Sequence, residues 1–580
     1  MINLKINGMD ISAPEGSTIL EAARLAHIEI PTLCFLKEIN EIGACRICVV
    51  EVKGARSLVA SCVYPVNEGM EVWTNTPKVL DSRKKTLQLI LSNHNRSCLS
   101  CVRSGSCELQ TLAKELGVDD EGYYDGIKTP TEIDDSAAHM IRDNSKCILC
   151  RRCLAVCEKV QDIGVIGANN RGFHTQIGCA FDMDLADTSC VSCGQCITVC
   201  PTGALSEKDS TEDVFKAIAD PEKHVIVQVA PAVRAAIGEA FGLPIGTNAE
   251  GQMIAALRRL GFDKVFDTDF SADLTIMEEA TEFLDRVQNG GVLPLITSCS
   301  PGWIKYCEHY FPDMTENLSS CKSPQQMFGA IAKTYYAEKM GIDPKNILSV
   351  SIMPCTAKKF EIGRDDQDAA GVPDVDFALT TRELARMIKK AGLNFLSLPT
   401  DERFDDPLGL STGAAVIFGA TGGVMEAALR TAVWKLTGES SDSPVEFKEV
   451  RGVEGIKEAT YNVSGMDVKV AVASGLGNAT ALLDKVKAGE ADYHFIEIMG
   501  CPGGCVNGGG QPQVPGHIRN TTDIRSLRAG VLYDLDESRP LRRSHENPAI
   551  QTLYKEYLGE PGSHKAHELL HTTYVKRSVN

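Results

Sequence analysis

Two cysteine runs carry the strongest chemical signal in the chain. Cys147-x2-Cys150-x2-Cys153-x3-Cys157 is followed by Cys190-x2-Cys193-x2-Cys196-x3-Cys200, and Pro201 closes the second run. This is the spacing of two-cluster iron–sulfur sites, in which the fourth cysteine of each run ligates the other cluster. One [4Fe–4S] cluster is therefore assigned to Cys147, Cys150, Cys153 and Cys200, and another to Cys157, Cys190, Cys193 and Cys196. Upstream, Cys34, Cys45, Cys48 and Cys62 form one close pair with two isolated outer cysteines. That pattern favours a [2Fe–2S] cluster over structural zinc, which usually takes paired C-x2-C knuckles. Between these groups lie His94, Cys98, Cys101 and Cys107. Three cysteines leave one corner of a four-iron cluster open, which His94 fills; a zinc site with the same three thiolates and one imidazole is the competing reading.

Four clusters in series make an electron wire, and a wire needs a catalytic terminus, which must lie in residues 210–580. Cys299 sits in Thr297-Ser-Cys-Ser-Pro-Gly-Trp303, and Cys355 in Ile352-Met-Pro-Cys-Thr-Ala-Lys-Lys-Phe-Glu361. Cys501 and Cys505 sit in Glu497-Ile-Met-Gly-Cys-Pro-Gly-Gly-Cys-Val-Asn-Gly-Gly-Gly-Gln511. Each loop follows an apolar, strand-like run, which places it at the carboxyl end of a strand, where α/β sites gather. The glycines around Cys501 and Cys505 let backbone approach an inorganic core closely. Cys179, Cys307 and Cys321 lack such surroundings and read as plain buried thiols.

The elements that must hold these groups follow from composition and periodicity. The 580 residues are 43% apolar and 23% charged, which excludes disordered and fibrous classes. A net charge of −18, from 77 acidic and 59 basic residues, disfavours nucleic acid and anionic membranes as partners. No charged segment precedes an apolar leader, so the expectation is a cytoplasmic chain, and its high count of 22 cysteines points to metal binding rather than disulfides. Apolar strands such as 224–230 and 468–473 alternate with helical periods at 275–290 and 381–392. The fold expected is multidomain, of mixed α+β and α/β class, with N-terminal ferredoxin-like iron–sulfur modules followed by a large α/β catalytic domain. The modules are a plant-ferredoxin-like [2Fe–2S] domain at 1–78, a [4Fe–4S] module with one histidine and three cysteine ligands at 79–125, and a bacterial-ferredoxin-like two-[4Fe–4S] domain at 126–209. The catalytic domain is 210–580.

The three C-terminal loops resemble those of the [FeFe]-hydrogenases. That family's signatures read TSCCPxW, MPCxxKxxE and ExMxCxxGCxxG; the second and third are complete here, and the first departs at one position. With its N-terminal modules, the chain resembles the long members that carry four accessory clusters. The resemblance implies an H-cluster, a [4Fe–4S] unit joined to a two-iron site bearing CO, cyanide and azadithiolate, with three accessory [4Fe–4S] clusters and one [2Fe–2S]. It implies Cys355, Cys501 and Cys505 as ligands, the last bridging to the two-iron site. Lys358 would donate to one cyanide, and Ala230-Pro231 would pack backbone against the other. Met353, Met499 and Gln325 would line the pocket. The departure is Cys299-Ser300, where the family has two cysteines, one relaying protons and one ligating. Either Cys299 ligates and the relay is weakened, or Ser300 ligates.

Glu279, Glu282 and Arg286 fall on one helical stripe, which by spacing alone reads as a solvated charge stripe. The resemblance instead implies a proton path through Glu279, Ser319 and Glu282. The activity implied is reversible H2 oxidation and proton reduction. Electrons would pass to ferredoxin, to flavin- and NAD(P)-binding partner subunits, or to both, and maturation proteins would supply the two-iron site. The Cys299-Ser300 pair and the Val229-Ala-Pro-Ala-Val segment resemble more the multi-subunit, NAD(P)-linked, electron-bifurcating kind. Rival readings are a non-catalytic electron-transfer or H2-sensor homologue, an iron–sulfur assembly relative and a complex-I-like subunit. A strand–glycine turn at Gly475 and Gly477 mimics a dinucleotide fingerprint, but Thr480 stands at its third glycine position, so it reads as a structural turn.

Overall fold

The computed structural model describes all residues except 119–127, 130, 439–445, 453–454, 464 and 580. The first 76 residues form a mixed five-stranded sheet around the helix Ile19–Leu25, whose Thr18 and Glu21 satisfy each other's backbone donors in a capping box. The helix Pro77–Asn93 starts from a Thr76 cap, so the expected boundary at 78/79 falls within its first turn. It delivers His94 at its C-terminal end. The expected boundary at 125/126 lies outside the described residues. The next module is built on a three-stranded antiparallel sheet of Ile133–Asp134, Met140–Asp143 and Leu205–Glu207.

The C-terminal body contains two four-stranded sheets. In the first, β1 (His224–Val229) lies between β2 (Lys264–Asp267) and β4 (Ile347–Met353), with β5 (Phe377–Thr380) beyond, all parallel. In the second, β3 (Leu295–Ile296), β8 (Phe495–Met499) and β7 (Met466–Ser474) are parallel, and β6 (Ile456–Val463) closes the edge antiparallel. β1 and β8 are buried along almost their full length, as parallel strands covered on both faces must be. The helical period expected at 275–290 is the last part of a longer helix, Thr268–Asn289, capped by the Asp267 side chain. Gly475 turns β7 into the helix Leu476–Lys487; a Cβ there would press on Pro502, and one on Gly477 on the Val160 carbonyl. The glycines thus serve close packing, as a structural turn requires.

Candidate active site

All three cysteine loops leave the carboxyl ends of parallel strands: Cys299 after β3, Cys355 after β4 and Cys501 after β8. Because β4 belongs to one sheet and β3 and β8 to the other, the loops meet between the sheets. There they line one cavity with largely apolar walls, shared by Cys299, Ser300, Cys355, Lys358, Cys501 and Cys505. Ala230, Pro231, Gln325, Met353 and Met499 are also part of its lining. The residues named from the signatures therefore converge, although up to 275 positions separate them.

The glycine-rich loop after Cys505 lies backbone to backbone against the Cys355 loop. A Cβ on Gly508 would fall 2.0 Å from the Pro354 carbonyl oxygen, and one on Gly510 2.9 Å from the Cys355 nitrogen. Glu497, the acidic residue of the third signature, is fully buried and accepts from the backbone nitrogens of Gly422 and Met425, each at 2.7 Å. It thereby ties β8 to the start of the helix Gly423–Thr437, where a carboxylate is favoured.

Lys358 reaches the cavity from the short helix Ala357–Glu361. Its ammonium donates to Glu361 Oε2 and Ser323 Oγ, each at 2.8 Å, and to the Cys299 carbonyl at 3.3 Å. The same Glu361 oxygen accepts from Ser323 Oγ and Gln325 Nε2, each at 2.9 Å. Gln325 in turn accepts from Ser351 Oγ at 2.8 Å. Ser323 and Ser351 are parts of this support that sequence reading missed, because no motif marks a serine that acts only through a distant neighbour.

Burial pushes the thiols of Cys299, Cys355, Cys501 and Cys505 upward, Cys505 to about 12. Lys358 opposes the rise at Cys299, Cys355 and Cys505 but does not cancel it, and thiols so buried ionise readily against a held cation, which suits iron. The adjacent pair divides its environment. After burial, Glu279 is the largest influence raising Cys299, whereas Ser300 Oγ accepts from the Gly500 nitrogen at 3.2 Å, next to Cys501.

Glu279 itself is buried, not part of a solvated stripe. Burial pushes its carboxyl up to about 8, the Glu282 carboxylate adds to the rise, and the Ser319 hydroxyl opposes it. Ser319 Oγ donates to Glu282 Oε2 at 3.1 Å, and Arg286 donates to Glu282 Oε1 at 2.6 Å. Ser319 thus stands between the two carboxyls, and Glu279, whose Oε2 has no hydrogen-bond partner among the described residues, is the charge that acts most on Cys299.

The N-terminal cysteines also gather as their spacing predicts. Cys147, Cys150, Cys153 and Cys200 line one small cavity, the cross-paired set. The Cys196 thiol is raised by burial and then by Cys193, Cys190 and Cys157, its expected companions. In the first module, Cys48 Sγ and Cys62 Sγ are 3.3 Å apart, and Cys34 Sγ accepts from the Cys45 nitrogen at 3.5 Å. His94 is buried with Nδ1 lacking any partner among the described residues. Burial, then Lys146, holds its pKa down to about 4, so the ring is neutral and its nitrogen can ligate iron.

The modules dock through their cluster loops. Asn40 Nδ2 donates to the carbonyls of Cys34 (2.8 Å) and Cys150 (3.0 Å). A Cβ on Gly203 would fall 2.6 Å from Cys101 Sγ, so the His94 module abuts the Cys200 loop. At the active site, a Cβ on Gly509 would lie 2.1 Å from the Cys193 carbonyl, and Thr356 Oγ1 donates to the Ser192 carbonyl at 2.7 Å.

Comparison with known proteins agrees with this geometry. Residues 223–509 match the iron-only hydrogenase large subunit, C-terminal domain, and residues 522–577 the iron hydrogenase small subunit. Residues 1–77 match a 2Fe-2S iron–sulfur cluster binding domain, 83–121 the NADH-ubiquinone oxidoreductase-G iron–sulfur binding region, and 146–204 a 4Fe-4S dicluster domain. The chain is 52% identical to the NADP-reducing hydrogenase subunit HndD of Solidesulfovibrio fructosivorans, over 100% of this chain and 99% of that protein. It is 44% identical to iron hydrogenase 1 of Clostridium pasteurianum, over 99% and 100% respectively. The solved apo [FeFe]-hydrogenase HydA1 from Chlamydomonas reinhardtii superposes with a TM-score of 0.57 at 46% identity, covering 64% of this chain and 100% of that one. These matches and the converging loops define an iron–sulfur oxidoreductase with a hydrogenase catalytic domain. The chain belongs to the [FeFe]-hydrogenase family. Among the described residues, no helix is long and apolar enough to cross a membrane.

Proposed function

We propose that the chain interconverts H2 with protons and electrons at an H-cluster held by Cys355, Cys501 and Cys505, with Ser300 at the fourth corner. The observation that carries this reading is the single cavity that collects all three cysteine loops together with Lys358. When bound, the H-cluster supplies the metal chemistry that cleaves or forms H2 heterolytically. The protein's own residues do the rest. Lys358, held by Glu361 and Ser323, presents a fixed positive charge to an anionic ligand. Met353, Met499, Ala230 and Pro231 give apolar walls that exclude water. Cys299, on whose thiol Glu279 is the strongest acting charge, passes protons between the cavity and the chain of Glu279, Ser319 and Glu282.

Electrons travel through three accessory [4Fe–4S] clusters and one [2Fe–2S] cluster. Cys193 against Gly509 forms the inner junction, and the Cys34 and Cys101 loops form the outer ones. The partners we assign are flavin- and NAD(P)-binding subunits, with ferredoxin as a second carrier. The relative that bears the name NADP-reducing hydrogenase subunit supports this assignment. Anaerobically matured protein should evolve H2 from a reduced viologen dye, and Cys505→Ala should abolish this while retaining the accessory iron. Full activity in that variant would overturn the assignment.

A further inference from the structure

We propose that His571 is a proton entry to the relay, passing protons to Glu282 through the Ser320 hydroxyl. This rests on the reading of Glu282, Ser319 and Glu279 as proton carriers. Arg286 occupies one oxygen of Glu282 and also donates to the carbonyls of Val292, Glu316, Asn317 and Leu318. A guanidinium keeps its protons throughout the working range, so Arg286 orients Glu282 and exchanges nothing with it. The other oxygen, Oε2, accepts from two hydroxyls, Ser319 Oγ and Ser320 Oγ, each at 3.1 Å. Ser319 leads inward to Glu279. Ser320 leads outward, with its Oγ 2.7 Å from His571 Nδ1.

The C-terminal segment fixes this contact. His571 follows the helix His564–Leu570 and pairs antiparallel with Cys321. Thr572 N donates to the Ser320 carbonyl and Lys322 N to the Leu570 carbonyl, each at 2.8 Å. The outer face of the imidazole meets the exposed His567 ring, with centroids 4.1 Å apart. Its Nε2 faces Glu278 Oε2 at 3.2 Å, and Glu278 also accepts from the Tyr554 hydroxyl and the Gly562 nitrogen. The charged and titratable groups around His571 are thus Glu278 and Glu282 on the long helix, Cys321 beside it, Tyr554 behind Glu278, and His567. Lys435 acts on Glu278 from the helix Gly423–Thr437. An imidazole so placed has one ring nitrogen on the Ser320 hydroxyl and the other on a carboxylate, the two contacts a proton carrier needs.

The transfer balances. The imidazolium gives its Nδ1 proton to Ser320 Oγ as the Ser320 proton passes to Glu282 Oε2, leaving neutral His571, an intact hydroxyl and a protonated carboxyl. The Nε2 proton stays on the ring, facing Glu278, and the ring, whose side chain is 8% exposed, recovers its proton from solvent. In H2 oxidation the same steps run in reverse.

The test uses matured, cluster-loaded full-length protein carrying His571→Ala or His571→Gln. Both variants should lose H2 evolution by about tenfold or more, as loss of a positioned proton carrier requires, with iron-bound CO bands unchanged. The solvent deuterium isotope effect should rise, and imidazole in the buffer should restore His571→Ala. Wild-type rates in both variants would overturn the proposal. So would a loss in His571→Ala that imidazole does not restore and His571→Gln does not share, because that marks a structural role. Glu282→Gln separates the two levels: an inactive Glu282→Gln beside wild-type rates in the His571 variants sinks the histidine entry alone. A fully active Glu282→Gln sinks the relay on which it rests.

Discussion

Lys358 and Glu361, three residues apart on one short helix, form a buried ion pair at 2.8 Å that aims the ammonium into the cysteine-lined cavity. The glutamate shares its oxygen with Ser323 and Gln325, so the lysine's direction is set by a network and not by the pair alone. Glu361→Gln leaves a buried ammonium without its counter-charge, which should cost about 3–5 kcal/mol and lower the thermal midpoint. It should also shift the cyanide bands of the matured protein, since the donor is no longer held. A variant with wild-type melting and unchanged bands would show that Glu361 does not position Lys358.

Cys299 and Ser300 should separate on substitution. Cys299→Ser should cut H2 turnover by about 10²–10⁴-fold, the range for losing a general acid–base, while iron content stays unchanged. Ser300→Cys should keep activity and alter the paramagnetic resonance of the H-cluster's cubane, because thiolate is a softer iron ligand than a serine oxygen. The opposite pattern, with iron lost from Cys299→Ser, would assign ligation to Cys299.

Glu279 makes both activity and stability depend on pH. Its folded-state value of about 8 stands above the ~4.3 of an exposed glutamate. The buried protonated carboxyl therefore contributes stability that is complete below about pH 4.3 and is lost as pH rises through about 8. Glu279→Gln should flatten this part of the stability curve, measured by thermal denaturation across pH. In wild-type protein, H2 evolution should fall as pH rises past about 8, because the carboxyl then rests without its proton. A Glu279→Gln protein with wild-type turnover would remove the residue from the relay.

Gly509→Ala forces a methyl group to 2.1 Å from the Cys193 carbonyl, where only backbone can yield. The expected cost is about 1–3 kcal/mol, typical of overpacking. The inner electron junction should widen, slowing reduction of the active site by the accessory clusters in freeze-quench spectroscopy. Unchanged transfer would show that this contact does not set the junction.

The cysteine spacings made most of the cysteine grouping legible, because the ligand pattern of an iron–sulfur site is written into short-range sequence. The cross-pairing of Cys200 with Cys147, Cys150 and Cys153 followed from spacing and appears as a shared cavity. The strand-end placement of Cys299, Cys355 and Cys501 was equally readable from the apolar runs before them. Periodicity failed at Glu279, since a helical stripe shows which residues share a face but not what covers it. The helix Gly423–Thr437 and the C-terminal return pack against the long helix from far along the chain. For the same reason Ser323, Ser351, Ser320 and His571 carried no local signal: their partners lie 26 to 293 residues away.

The central claim is that this cavity holds an H-cluster competent for H2. Infrared spectroscopy of anaerobically matured protein tests it most directly. The account predicts iron-bound CO and cyanide bands that shift when H2 is admitted and are absent in Cys505→Ala. Protein full of iron and sulfide but without such bands, after maturation that succeeds on an authentic hydrogenase in parallel, would contradict it.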